Sequence, residues 1–247
     1  MVLLHAGPGL DGSIFLPGAE ALASDYRLLL VDLPGNGRSP DPEEWTLAAH
    51  ARAVEELVAP LGEYTLLGHS FGGFVAMQHL VDFPGSATRV IASCTDADEE
   101  PAPGVDEEAA YANLPPDVEA AFQLEERVTS DEEAREAWLG QLPFFAPHPE
   151  PVRAAFADVV FRHQAVLHAS EGGELHALTA LATSEIPVLA IAGEHDRGTP
   201  PVMAERIAQA APNGELLIID GAGHFPFAET PDRYWPAVVD WLTRTSR

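Results

Sequence analysis

Lysine is absent from this chain, and its 13 basic residues, all arginine, stand against 39 acids for a net charge of −26. A surface of that sign repels phosphate backbones and anionic lipid, so nucleic acid is excluded as an expected partner. Cysteine is nearly absent as well, and Cys94 alone rules out an intrachain disulfide framework. It ends an apolar, strand-like run, which suits a small buried filler rather than a nucleophile. No apolar run approaches the roughly 20 residues of a membrane span. The apolar start at Met1 is broken by His5 and Pro8 too soon for a signal peptide. These absences predict a cytoplasmic protein without a membrane partner. There is no internal repeat, and neither an H-E-x-x-H run nor paired cysteines, so no metal and no cofactor are expected. His163 and His168 read as surface or pocket residues. What remains, 247 residues of which 46% are hydrophobic, suits one ordered domain with a real core and room for an insertion.

The most informative stretch is Gly68-His69-Ser70-Phe71-Gly72-Gly73, which follows an apolar run at residues 64–67 and precedes a helix-like run at 74–80. A strand that turns sharply into a helix needs small residues around the turn, because side chains there collide with neighbouring backbone. The arrangement leaves a serine hydroxyl exposed and makes Ser70 the nucleophile candidate.

Along the chain, short apolar strands are predicted at residues 2–4, 27–31, 89–93, 187–192 and 215–219, besides the one before Ser70. Helical signals fall at 17–23, after Thr46 as an N-cap, at 201–210 and at 234–243. Wholly apolar strands alternating with helices indicate a mostly parallel sheet covered on both faces. The alternation breaks between residues 96 and 184. Residues 96–136 hold 15 acids and two arginines, then Ser130-Asp131-Glu132-Glu133 forms a capping box ahead of Ala134, Ala137, Trp138 and Leu142 on one helical face. The expected organisation is a core of residues 1–95 and 185–247 with a helical cap at 96–184. Such a cap lies over the strand C-termini, where ligands bind in parallel sheets.

A serine needs a general base, and the base needs a carboxylate to hold its tautomer. Gly193-Glu194-His195-Asp196-Arg197 follows one strand and Asp220-Gly221-Ala222-Gly223-His224 follows the last, giving the chain order Ser70, Asp196, His224. Glu194 and Asp96 are rival acids, and His195 and His69 rival bases. His224 is favoured by its glycine-flanked loop, and His69 by its place in the turn should point away from Ser70. For the oxyanion hole, the N–H of Phe71 is one donor and the loop after residues 2–4 supplies the other, at Gly7 or failing it Ala6. His5 is expected to brace that loop. The same loop satisfies G-x-G-x-x-G from Gly7 to Gly12, with Asp32 about 20 residues on, the pattern of a dinucleotide site. Pro8 removes one amide from that pattern, and the helix signals begin only near residue 17.

These residues together resemble the α/β-hydrolase superfamily over nearly the whole chain. His5-Ala6-Gly7-Pro8-Gly9 is similar to the H-G-G-P-G segment of proline iminopeptidase-like members, and residues 32–39 look like the superfamily's D-x-x-G-x-G-x-S loop. The chain departs from proline iminopeptidases in having Phe71 where they usually have tryptophan, and it lacks a matching motif for their amine-binding cap glutamates. Ser70 excludes the aspartate nucleophile of epoxide hydrolases and dehalogenases. The family usually has two strands ahead of the one at residues 2–4. The expectation is therefore about six strands with 27–31 at an edge, or a natural start upstream of Met1.

The resemblance implies a serine hydrolase acting on a small ester, or on a small amide or peptide, through an acyl-enzyme. Trp138, Phe144, Phe145 and Phe156 are the candidate substrate pocket. The many acids of residues 96–136 read as a solvated outer face, since burying unpaired charges costs several kcal/mol each. That favours esters over N-terminal proline peptides. A member that only binds a small ligand in its capped pocket is the alternative from another class.

Overall fold

The computed structural model describes residues 1–16 and 18–246, and for Glu107 and Glu108 the backbone alone. Six strands, β1 (Val2–Leu4), β2 (Leu29–Val31), β3 (Thr65–His69), β4 (Arg89–Ser93), β5 (Val188–Gly193) and β6 (Gly214–Ile219), form one sheet in the order β2-β1-β3-β4-β5-β6. Every pair is parallel. β2 is two residues shorter than its apolar run. Its register with β1 runs from Val2 opposite Leu29, and ahead of it the Met1 amine donates to the Arg27 carbonyl at 2.6 Å.

Side-chain alternation sorts the strands into two layers. Val2, Leu4, Leu66, Val90, Ala92, Val188 and Ala190 face one core, which α1 (Leu47–Val58) and α2 (Phe71–Asp82) cover. Leu3, Leu67, Ile91, Leu189, Ile191 and Ile219 face the other. Thr46 caps α1 by accepting from the Ala49 N–H at 3.1 Å. On the second face lie two short 3₁₀ turns. One of them, Ala19–Leu22, takes the place of the helix expected at 17–23, and Pro17 lies outside the described residues.

Between β4 and β5 the chain makes a helical excursion: α3 (Glu107–Tyr111), α4 (Pro116–Glu125), α5 (Asp131–Phe145), α6 (Pro149–Ala155), α7 (His163–Leu167) and α8 (Leu178–Thr183). Its two ends are zipped together, Glu99 N–H to Leu175 C=O at 2.9 Å and Ala177 N–H to Ala97 C=O at 2.8 Å. Leu181 of α8 is buried in the first core, packed with α2 and with α9 (Pro201–Ala210). The excursion therefore rejoins the sheet's own helical layer before residue 184. At the start of α5, Ser130 Oγ accepts from the Glu133 N–H at 3.2 Å. The reciprocal arm differs from a capping box, because Glu133 reaches the N–H of Thr129 instead of that of Ser130. The last strand is followed by α10 (Pro226–Glu229) and α11 (Pro231–Arg244), the latter starting three residues before the expected 234 because Pro231 suits a first helical turn.

β1 is flanked by β2 on one side and β3 on the other, so the order reverses between β1 and β3 and opens a crevice at the strand C-termini. Ser70 sits at its mouth, directly after β3.

Candidate active site

Ser70 occupies φ 54°, ψ −118°, a region that non-glycine residues seldom adopt, between β3 and α2. The surrounding glycines explain how the chain tolerates it. A Cβ at Gly68 would lie 2.2 Å from the Gly72 carbonyl oxygen, and one at Gly72 would lie 2.3 Å from that of Leu4. The turn is further pinned by Ser70 N–H to Ser93 C=O and Gly72 N–H to His5 C=O, both 3.0 Å. Ser70 is half-buried, with its hydroxyl at the N-terminus of α2.

His224 Nε2 stands 2.9 Å from Ser70 Oγ, and its Nδ1 stands 2.8 Å from Asp196 Oδ2. A carboxylate only accepts, so Nδ1 carries the proton and Nε2 is left to accept from the serine hydroxyl. Asp196 is buried and saturated by donors. Its Oδ1 accepts from the N–H groups of Gly198 and Thr199 at 2.9 and 3.0 Å, and its Oδ2 from Thr199 Oγ1 at 2.8 Å. Behind it Cys94 is buried, and desolvation, reinforced by the Asp196 charge, pushes its thiol up, so it stays protonated as a filler.

None of the rivals bonds to Ser70, although the His69 ring packs 5.2 Å from that of His224. Asp96 pairs with Arg206 of α9, with Nε at 3.0 Å. Glu194 accepts from the Gly221 N–H at 2.9 Å, and His195 is exposed beside it. His69 is buried against Ser93 Oγ at 3.2 Å, and burial holds it well below the usual histidine range.

The N–H of Phe71, first in α2, and those of both Ala6 and Gly7 have no acceptor among the described residues. The bond from Gly72 to His5 draws the loop that carries Gly7 alongside the N-terminus of α2. His5 braces this loop. Its Nε2 accepts from the Leu33 N–H at 3.1 Å, its Nδ1 contacts the Ala6 carbonyl, and burial keeps the ring neutral. The G-x-G-x-x-G pattern here holds no dinucleotide cradle. Gly9 N–H ends on Asn36 Oδ1 at 2.7 Å and Gly12 N–H on Asp32 Oδ1 at 3.0 Å, so donors that a diphosphate would need are satisfied by the protein itself.

Residues 1–237 match the alpha/beta hydrolase family. This chain belongs to that family. It is 29% identical to the pimeloyl-[acyl-carrier protein] methyl ester esterase of Yersinia pseudotuberculosis over all of this chain and 94% of that protein. It is 26% identical to RutD of Enterobacter cloacae, provisionally named a carbamate hydrolase, over 98% of this chain and 91% of that one. A thermophilic esterase from Thermogutta terrifontis superposes with a TM-score of 0.78 at 25% identity, covering all of this chain and 90% of the other.

In this alpha/beta hydrolase the four aromatic residues expected to line a substrate pocket divide by place. Phe145 is beside His224, their ring centroids 5.1 Å apart, and Trp138 stacks on Phe145 at 6.0 Å while donating Nε1–H to the Pro8 carbonyl at 3.2 Å. Phe144 and Phe156 are 3% and 1% exposed. Phe144 packs between Tyr111 and Phe122 under the Arg197 guanidinium, and Phe156 packs against Phe225 in the second core. Their faces are spent on packing, which leaves Phe145, of the four, as the ring against His224, with Phe225 at the same 5.1 Å.

Three contributors escape a reading of the sequence: Thr199 on Asp196, the Phe145 carbonyl, which accepts from the His224 N–H at 2.7 Å, and Glu229, which accepts from the N–H groups of Gly223 and Phe225. Only Thr199 had a local signal. An aspartate readily accepts from N–H groups two and three residues on, which places residue 199 against the carboxylate.

Proposed function

We propose that this hydrolase cleaves small carboxylic esters through an acyl-enzyme on Ser70. The observation that carries the reading is the aligned relay Ser70 Oγ, His224 Nε2 and Nδ1, Asp196 Oδ2, with successive gaps of 2.9 and 2.8 Å beside the unengaged N–H groups of Phe71 and the Ala6–Gly7 loop. Ser70 Oγ attacks the carbonyl carbon while His224 Nε2 takes its proton, and the oxyanion is received by the Phe71 and Gly7 N–H groups. On collapse the alcohol leaves with the proton from His224. A water, deprotonated by the same nitrogen, then attacks the acyl carbon, and on collapse His224 returns that proton to Ser70 Oγ as the acid is released. Asp196 holds the imidazole in the tautomer that both steps require.

Esters are favoured over peptides with a free amine because the excursion's inward acids are already engaged. Asp96 is paired with Arg206, and Glu125 accepts from Gln141 Nε2 at 2.8 Å, while Glu99, Glu100, Asp117, Glu119 and Glu126 are exposed. The names of the esterases among the relatives point the same way. No helix is long and apolar enough to cross a membrane among the described residues, and on composition the protein reads as cytoplasmic and without a nucleic-acid partner.

A fluorophosphonate probe is expected to label the wild type and not Ser70→Ala. Labelling that survives in Ser70→Ala removes the assignment, and an unlabelled folded wild type favours a ligand-binding role. kcat/KM on p-nitrophenyl butyrate should exceed that on prolyl and alanyl arylamides. A better arylamide substrate, lost on N-acetylation, would make the enzyme an aminopeptidase of the proline iminopeptidase type.

A further inference from the structure

Glu229 closes α10, five residues beyond His224, and turns its half-buried carboxylate back toward the loop that carries the histidine. Oε1 accepts from the N–H of Gly223 and from that of Phe225, each at 3.0 Å, and Oε2 lies 3.1 Å from the Gly223 nitrogen. The peptide N–H groups on both sides of His224 therefore end on one side chain. The N–H of His224 itself ends on the Phe145 carbonyl at 2.7 Å. Three consecutive donors are held from outside the loop, so the histidine's Cα position and direction are set before its ring meets Asp196 and Ser70. Nothing in the relay described above needs Glu229, and a solvated carboxylate would cost less than this one. Burial pushes Glu229 up, with the nearby Asp196 charge adding, while its two backbone donors act to hold it down.

We propose that Glu229 is the positioning residue of the alpha/beta hydrolase's histidine: by gripping the two N–H groups that flank His224, it fixes the imidazole within reach of Ser70 Oγ. The proposal rests on the reading of Ser70 and His224 as nucleophile and base. A positioning role acts on the reacting geometry and not on substrate binding, and displacements near 1 Å cost on the order of 100-fold in rate. The two acceptor bonds, not the charge, are the working part. Glutamine, whose Oε1 can accept from both N–H groups, should stand in for glutamate.

The test compares Glu229→Gln, Glu229→Ala and Glu229→Asp in the full chain, each assayed well below its own unfolding midpoint. The readouts are the second-order rate of Ser70 labelling by a fluorophosphonate, and kcat and KM on p-nitrophenyl butyrate. Glu229→Ala is expected to slow labelling and kcat by about 10- to 100-fold with KM changed less than about threefold. Glu229→Gln should recover to within about fivefold of wild type. Glu229→Asp, one methylene too short to hold both donors, should resemble alanine and carries the test if Glu229→Ala does not fold. Wild-type labelling rates in the alanine and aspartate variants, a loss confined to KM, or a glutamine variant as slow as alanine would each overturn the proposal. Failure of the wild type itself to label would instead remove the hydrolase reading on which it stands.

Discussion

The peptide N–H of His224 donates to the carbonyl oxygen of Phe145 across 2.7 Å, and the two rings pack with centroids 5.1 Å apart. A residue at the C-terminal end of α5, in the helical excursion, thus supports the histidine loop of the sheet. The loop of residues 5–9 is tied to the same excursion, through Trp138 Nε1–H to Pro8 C=O at 3.2 Å and Arg162 N–H to Gly9 C=O at 3.0 Å. Both walls of the crevice are therefore anchored to one structural unit, and disturbing its seat should reach the chemistry.

Gly223→Ala tests that seat. A Cβ there would lie 2.3 Å from the Phe145 carbonyl oxygen and 2.7 Å from Pro147 Cδ, so α5 must shift. Urea unfolding should show a loss of about 1–3 kcal/mol, and kcat should fall with it. An unchanged midpoint and unchanged kcat would mean that the excursion can retreat without moving His224.

The relay should behave as one unit. Ser70→Ala and His224→Ala are each expected to lower kcat by several orders of magnitude, and the double variant should be scarcely slower than either. Near-additive losses would show that the two residues act independently and would move the base to another histidine.

Asp196 is held by four donors, of which His224 Nδ1–H is one. Asp196→Asn can turn an amide N–H toward Nδ1 and so favour the wrong tautomer, with an expected loss in kcat on the order of 10⁴. Thr199→Val removes only one of the donors, which orients the carboxylate without touching the ring's proton. Its cost should be near tenfold, roughly one hydrogen bond to a charged group. Equal losses in the two variants would contradict this division of labour.

Burial holds His69 well below its ordinary pKa, so the folded state keeps it neutral while the unfolded chain protonates it near pH 6.5. The unfolded state then binds more protons, and its contribution to stability is full above that value and declines as pH falls below it. Replacing it by glutamine should flatten the fall in unfolding free energy between pH 6.5 and 5.5 by up to about 1.4 kcal/mol per pH unit. Urea titrations of both proteins at several pH values check this. Parallel slopes would show that His69 is not buried neutral. Asp96, Glu125 and Glu229, raised by desolvation, work in the opposite sense and are common to both proteins.

The amino-acid sequence alone determined the layers and the turn. Residues 2–4 and 89–93 coincide with strands, and residues 201–210 with a helix, because apolar periodicity and local steric limits act over a few neighbouring residues. The glycines around Ser70 were legible for the same reason, since a Cβ at Gly68 would meet Gly72 within its own turn. Tertiary structure alone decided that Phe144 and Phe156 are packed as core, that the Gly7–Gly12 pattern spends its donors on Asn36 and Asp32, and that β2 pairs with β1 from Leu29 on. It also decided that the Phe145 carbonyl and the Glu229 carboxylate hold the histidine loop. A backbone N–H or C=O has no residue type, so nothing in the order of residues marks which segment will come alongside to satisfy it. That depends on where the sheet, the excursion and the last helices come to rest against one another.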